Sequence, residues 1–181
     1  MKTKSVILWA LVLFILDQIV KVVIDRYFLE VKFDILPSLL YFKPTFNHQY
    51  SWVNGLFGFG MGFWAHIVIF SFVAIILVLV YDFKKTILVK GKILSFAFIF
   101  GFAGVISALV GTIIWNGCLD YIYLRPFFVF DLKDVYITVF FLPLFFLSSF
   151  KNRKHTSSIV LKDIGHHFKN RFISLIKKSN G

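Results

Sequence analysis

Apolar and polar positions alternate along this chain in long blocks. An apolar run from Ser5 to about Ile24 follows a short basic start. Further runs cover Gly58–Tyr81, Ile93–Trp115 and Leu132–Phe150. A helix crosses the hydrocarbon core of a bilayer with about 20 apolar residues, so the pattern predicts four membrane spans, at about 5–24, 58–81, 93–115 and 132–150. The first run has the position of a secretory signal, but it contains Asp17 and Lys21 and lacks a small-residue cleavage pattern, which reads as a retained helix. Glycines 58, 60 and 62 open the second span, and Pro143 is expected to kink the fourth without ending it. Gly101, Gly104, Ser107, Ala108 and Gly111 stud the third, small residues that let helix backbones approach closely in lipid.

Between the first two spans, residues 25–57 hold β-branched and aromatic residues broken by Pro37 and Pro44, as in VKFDILPSLLYFKPTFN. This predicts short strands on the outer membrane face. After the last span the composition changes. Leu161, Ile164, Phe168, Phe172 and Leu175 recur at helical spacing with Lys162, His166, Lys169 and Arg171 between them. That pattern describes a basic amphipathic helix on the cytoplasmic lipid surface over residues 151–181. The fold class expected is therefore an all-α membrane protein: a four-span domain over residues 1–150, a small extracytoplasmic β-rich segment between helices 1 and 2, and this tail.

Composition agrees. Of 181 residues, 59% are hydrophobic and only 16% charged, too apolar for a soluble domain of this size. The net charge of +11 raises nucleic acid as a partner, but its placement argues for lipid. Lys2 and Lys4, then Lys84, Lys85, Lys90 and Lys92, and eight Lys or Arg after Phe150 all fall on one side of a weaving chain. This is the positive-inside pattern, and it puts both termini in the cytoplasm. A single cysteine, Cys118, leaves no internal disulfide and no cysteine zinc site.

Four acids lie where lipid disfavours them: Asp17, Asp120, Asp131 and Asp134. A charge at a helix centre costs about 2.5–3.5 kcal/mol by insertion scales, so an intramembrane acid points to function. Asp120 is expected to close the third span and Asp134 to open the fourth, both on the outer side. Pro126 keeps the excursion between them from being one continuous helix. Two carboxyls held together do not both ionise easily, so one keeps the proton while the other acts as base. Asp120 and Asp134 are thus a candidate general acid/base pair, against the plainer reading of two helix caps. Asp131 fits capping well, with Asp134 as the third residue of the helix it starts.

Several motifs resemble those of the lipoprotein signal peptidases (signal peptidase II), over about Leu11–Phe150. LDQIVK (Leu16–Lys21) resembles the first-helix motif and sets Asp17 and Lys21 one helical turn apart. FNHQYSW (Phe46–Trp52) is similar to the outer-face motif, with Asn47 as its Asn, Ser51 as a small residue and Trp52 as the aromatic; Gln49 and Tyr50 depart from it. GCLDYI (Gly117–Ile122) resembles the stretch bearing the first catalytic aspartate. FDLKD (Phe130–Asp134) resembles the Phe-Asn-x-Ala-Asp motif bearing the second. Asp131 and Lys133 replace the Asn and Ala of that motif. Where the family carries Gly-Asn and Asp-Arg pairs on the third helix, this chain has Ser107-Ala108 and Gly111-Thr112.

The resemblance implies an aspartic endopeptidase of the bacterial cytoplasmic (inner) membrane. It would use Asp120 and Asp134 to activate water and remove signal peptides from diacylglyceryl-modified prolipoproteins. Asn47 would orient the dyad or substrate, with Asp17, Lys21, Ser51, Trp52, Asp131 and Lys133 in supporting places. Trp52, Phe57 and other outer-face aromatics read as an interfacial belt. His48, beside Asn47 and Gln49, reads as a polar wall rather than a metal ligand, and His166 and His167 as solvent- or headgroup-facing residues of the tail. No metal or other cofactor is expected; the partners expected are a lipidated prolipoprotein and membrane lipids, with no nucleic acid, for a monomer. The altered pairs and Lys133 favour an alternative, a catalytically altered homologue that binds lipidated peptides or scaffolds a partner. A third reading is a small transporter using the acids as a proton or cation site, disfavoured by four spans without an internal repeat.

Overall fold

The computed structural model describes residues 1–86 and 92–150. The tail predicted to be amphipathic, with His166 and His167, lies outside the described residues, as does Lys90. Helix α1 (Thr3–Val23) runs on through a π-helical turn, Ile24–Phe28. A hairpin follows, β1 (Phe33–Leu36) and β2 (Leu40–Asn47), then a short helix α2 (Trp52–Phe57). Helices α3 (Phe63–Thr86) and α4 (Lys92–Trp115) come next, then β3 (Cys118–Leu124), β4 (Phe128–Phe130) and α5 (Leu132–Phe150).

Three stretches are long and apolar enough to cross a membrane: Thr3–Phe28, Phe63–Phe83 and Ile93–Trp115. Their outward faces carry large exposed apolar side chains, among them Leu8, Ile15, Trp64, Val68, Phe72 and Ile93, a surface that suits lipid. Helix α4 is the hub. In its span 56% of the residues are buried, against 11% for α3, and it packs on α1, α3 and α5. The small residues of α4 explain the contact with α5. A Cβ on Gly101 would lie 2.8 Å from the Phe140 ring, and one on Gly104 would lie 2.8 Å from Ile137. The apolar core consists of Val6, Ala10, Leu77, Phe98, Ile99 and Val105, and Tyr136 of α5 donates its hydroxyl proton to the Leu13 carbonyl of α1 at 3.1 Å.

The segment between the first two spans does form strands, but they are half of a larger sheet. Four antiparallel strands lie in the order β1-β2-β3-β4, so the excursion after α4 contributes the other two. The second span begins later than the glycines predict. Ser51 caps α2 by accepting the Asn54 N–H at 3.2 Å, and Gly58, at φ 62°, ends it in the left-handed conformation that glycine tolerates. Gly58 and Gly60 therefore belong to the turn before α3. Pro143 lies inside α5, as predicted.

Candidate active site

Asp120 is not at the end of a helix; it is the third residue of β3, beyond the end of α4 at Trp115. The β2–β3 register sets Asn47 opposite Cys118 and Thr45 opposite Asp120. Alternation along a strand puts positions two apart on one face, so Asn47 and Asp120 share a face on the diagonal. Asn47 Nδ2 donates to Asp120 Oδ2 at 2.9 Å. Gly117 permits the close approach of these strands, because a Cβ there would come within 2.8 Å of the Asn47 carbonyl oxygen.

Asp131 and Asp134 form a reciprocal cap at the start of α5. The Asp134 N–H donates to Asp131 Oδ1 and the Asp131 N–H to Asp134 Oδ2, both at 3.2 Å. This is the capping-box arrangement with Asp in the third position. Capping and catalysis are thus not exclusive for Asp134, since one carboxyl can do both.

From α1, Lys21 contacts Asp17 Oδ2 at 3.0 Å, one turn back, and Asp131 Oδ2 at 2.7 Å. Gln18 Nε2 also donates to Asp17, and Trp115 of α4 donates to the Gln18 side chain. The pair expected from the spacing of Asp17 and Lys21 is formed, and it extends across to α5. Lys133 completes the cluster. Its Nζ lies 3.0 Å from Asp131 Oδ1, 3.3 Å from Asp134 Oδ2 and 3.4 Å from Asp120 Oδ1. Asp17, Lys21 and Asp131 are completely buried, and Asp120 and Lys133 nearly so.

One oxygen from each of Asp120, Asp131 and Asp134 lies within 4.8 Å of the others. That donor set would suit a divalent cation in isolation. Here the Lys133 ammonium stands within hydrogen-bonding distance of all three, so the place of a cation is taken by a side chain and the residues do not fit a metal.

The three carboxyls differ in access. Asp134 and Lys133 line an apolar cavity of about 650 Å³ between α3 and α5, with His66, Ala108, Ile137 and Phe141 on its walls. Asp120 lines a second cavity of about 540 Å³ under the sheet, with Asn47, His48, Gln49 and Phe127. Asp131 lines neither. Electrostatics separates them too. Burial raises the Asp120 carboxyl above its ordinary range, against the opposing pull of Lys133 and the Asn47 hydrogen bond. Burial also acts to raise Asp131, but Lys133 and Lys21 together outweigh it and hold that carboxyl at about 2. Asp131 is therefore held as an anion between its two lysines, while Asp120 is shifted in the opposite direction. Cys118 is pushed up to about 12 by burial and stays a thiol, which removes it as a nucleophile.

The remaining predicted residues are placed as follows. Ser51 caps α2 and approaches His66 Nε2 at 3.4 Å, and it lines the apolar cavity. Trp52 begins α2. His48 is exposed, with Nδ1 3.2 Å from the Asn116 carbonyl, on the wall of the second cavity. Thr112 donates back to the Ala108 carbonyl within its own helix, and Ser107 Oγ is buried without a hydrogen-bond partner among the described residues. His66 is a residue that the spacing of polar positions does not single out: it is buried in the first turn of α3, its Nδ1 is 3.0 Å from the Gly62 carbonyl, and its ring lies against Tyr50 and Phe70. A polar side chain near the start of an apolar run was its signal.

Comparison with known proteins bears on the fold and the family. The chain is similar in structure to two solved structures of a bacterial membrane enzyme determined by the in meso method. One, at 2.3 Å resolution, has a TM-score of 0.61 and 22% identity over 86% of this chain and 96% of its own. The other, at 1.9 Å, has a TM-score of 0.63 and 22% identity over 83% and 95%. At that identity they support the fold. No curated protein sequence matches the chain. The family model described as signal peptidase (SPase) II matches residues 9–151, nearly the whole described chain, and this protein therefore belongs to the signal peptidase II family, membrane proteases of lipoprotein processing.

Proposed function

We propose that this chain is an intramembrane aspartic endopeptidase that cuts diacylglyceryl-modified prolipoproteins on the N-terminal side of the lipidated cysteine. One observation supports this most: of three carboxyls within 4.8 Å, Asp134 lines the apolar cavity and Asp120 the second one, whereas Asp131 lines neither. A peptide bond held against the cluster would meet both acids. One carboxylate takes a proton from water as it attacks the carbonyl carbon; the other protonates the carbonyl oxygen and then the leaving amine. Asn47 holds Asp120 in place, and the apolar cavity takes the apolar part of the substrate.

The protein works as a four-span monomer in the cytoplasmic membrane, with α5 as the fourth span and both termini inside. This orientation puts the sheet and the dyad at the outer leaflet, where a lipidated precursor lies. The test is incubation of purified protein with a diacylglyceryl-modified precursor, read by mass spectrometry of the new N-terminus. Wild type releases the signal peptide; Asp120→Asn and Asp134→Asn do not. An uncut precursor with folded wild type that still binds it would replace this reading with a peptide-binding homologue.

A further inference from the structure

We propose that Lys133 is a positioning residue of the dyad: its buried ammonium, anchored by Asp131 and set against both Asp120 and Asp134, fixes the pH range over which one carboxyl is base and the other holds the proton. The inference rests on the dyad reading above. Its basis is geometric. Lys133 Nζ reaches one oxygen of each acid, at 3.4 Å and 3.3 Å, while Asp131 Oδ1 holds it at 3.0 Å. A lysine whose only task was to neutralise Asp131 would not need these further contacts, since Lys21 already stands 2.7 Å from the other Asp131 oxygen.

Charge balance points the same way. The cluster holds four carboxyls, Asp17, Asp120, Asp131 and Asp134, and two ammonium groups, Lys21 and Lys133. Two adjacent buried carboxyls resist joint ionisation, and an opposite charge within about 4–6 Å relieves that resistance by 1–3 pH units. The groups facing Lys133 are few. Strand β3 presents Asp120 and Cys118, its own helix Asp134, the residue before that helix Asp131, and α1 presents Lys21 and Asp17 behind Asp131. Helix α3 brings His66 to the same cavity and α4 the uncharged Ala108. Lys133 does not act as a nucleophile, because an ammonium held among three carboxyl groups has no free electron pair.

Two measurements on the intact purified protein test this. In the pH profile of kcat/KM for the lipidated precursor, Lys133→Met is expected to move the acid limb up by about 1–3 units. Lys133→Arg restores the wild-type limb, and Asp131→Asn moves it down, because one negative neighbour is gone. Infrared titration of protonated carboxyls gives a readout that does not need turnover: the carboxyl band persists to higher pH in Lys133→Met than in wild type. Limbs that stay in place while activity falls at every pH, or infrared titrations that coincide in folded protein, overturn the proposal. Failure of wild type to cut the precursor counts against the peptidase reading instead, and the infrared titration then decides the role of Lys133.

Discussion

Lys21 of α1 and Asp131 at the head of α5 meet at 2.7 Å with both side chains removed from solvent. The contact joins α1 to the residue that caps α5, and the same lysine holds Asp17. Removing one partner of a buried pair costs about 3–5 kcal/mol, because the other charge is left uncompensated. Lys21→Met is therefore expected to lower the thermal unfolding midpoint sharply, and Lys21→Met combined with Asp131→Asn to recover part of the loss. Unfolding scans in detergent, compared as a double-mutant cycle, check this. Additive losses would show that the two residues are not coupled.

Asn47 and Asp120 give a prediction on catalysis. A hydrogen bond to a charged group contributes about 1.5–3 kcal/mol, so Asn47→Ala should lower kcat roughly 10–100-fold. The bond favours the ionised carboxyl, and its loss should also shift the acid limb of the pH profile upward. Steady-state rates from pH 4 to pH 9 read both effects.

The α4–α5 contact predicts a steric effect. Valine at Gly104 would drive its side chain into Ile137, and valine at Gly101 into Phe140. Overpacking of this kind costs about 1–3 kcal/mol. Both variants should unfold at lower temperature than wild type, while alanine at Gly111, where the nearest atom is 3.8 Å away, should change little.

Acid stability follows from Asp131. Its folded carboxyl is held at about 2, below the ordinary 3.8. The unfolded chain thus binds the proton first as pH falls. The stabilisation is fully present above about pH 4 and is lost as pH drops toward 2. Asp120, raised by burial, acts in the opposite sense and loses stability as pH rises through its range. Unfolding midpoints measured between pH 5 and pH 2 should fall steeply for wild type and less steeply for Asp131→Asn.

Much of this architecture was legible in the sequence because lipid imposes long apolar runs. Helices α1 and α4 lie within a few residues of the first and third apolar runs, and the acids stand out because charge is costly in lipid. The capping of α5 by Asp131 is legible from its place three residues before Asp134, and the Asp17–Lys21 pair from the one-turn spacing within the motif that resembles the family's. The sheet was only half legible. CLDYIYL reads as an extension of an apolar run, and what makes it a strand is its pairing with β2, a contact between residues some 80 positions apart. Asp120 was accordingly expected at a helix end and lies on a strand. The start of α3 lies later than expected because Gly58 and Gly60, read as the opening of the span, serve instead as the turn before it. Lys133 is expected beside Asp131 and the two other acids from its place in FDLKD; that one ammonium reaches Asp120, Asp131 and Asp134 together depends on the β2–β3 pairing, which the sequence does not show.

The central claim is that Asp120 and Asp134 activate a water molecule directly. The most direct measurement is a single turnover in 18O-labelled water, with mass spectrometry of the released signal peptide and of the enzyme. Attack by activated water puts one label into the new carboxyl terminus of the signal peptide and none into Asp120 or Asp134. Label in either aspartate would indicate a covalent acyl-aspartyl intermediate, and label in the released peptide of the Asp120→Asn and Asp134→Asn variants at the wild-type rate would contradict the dyad.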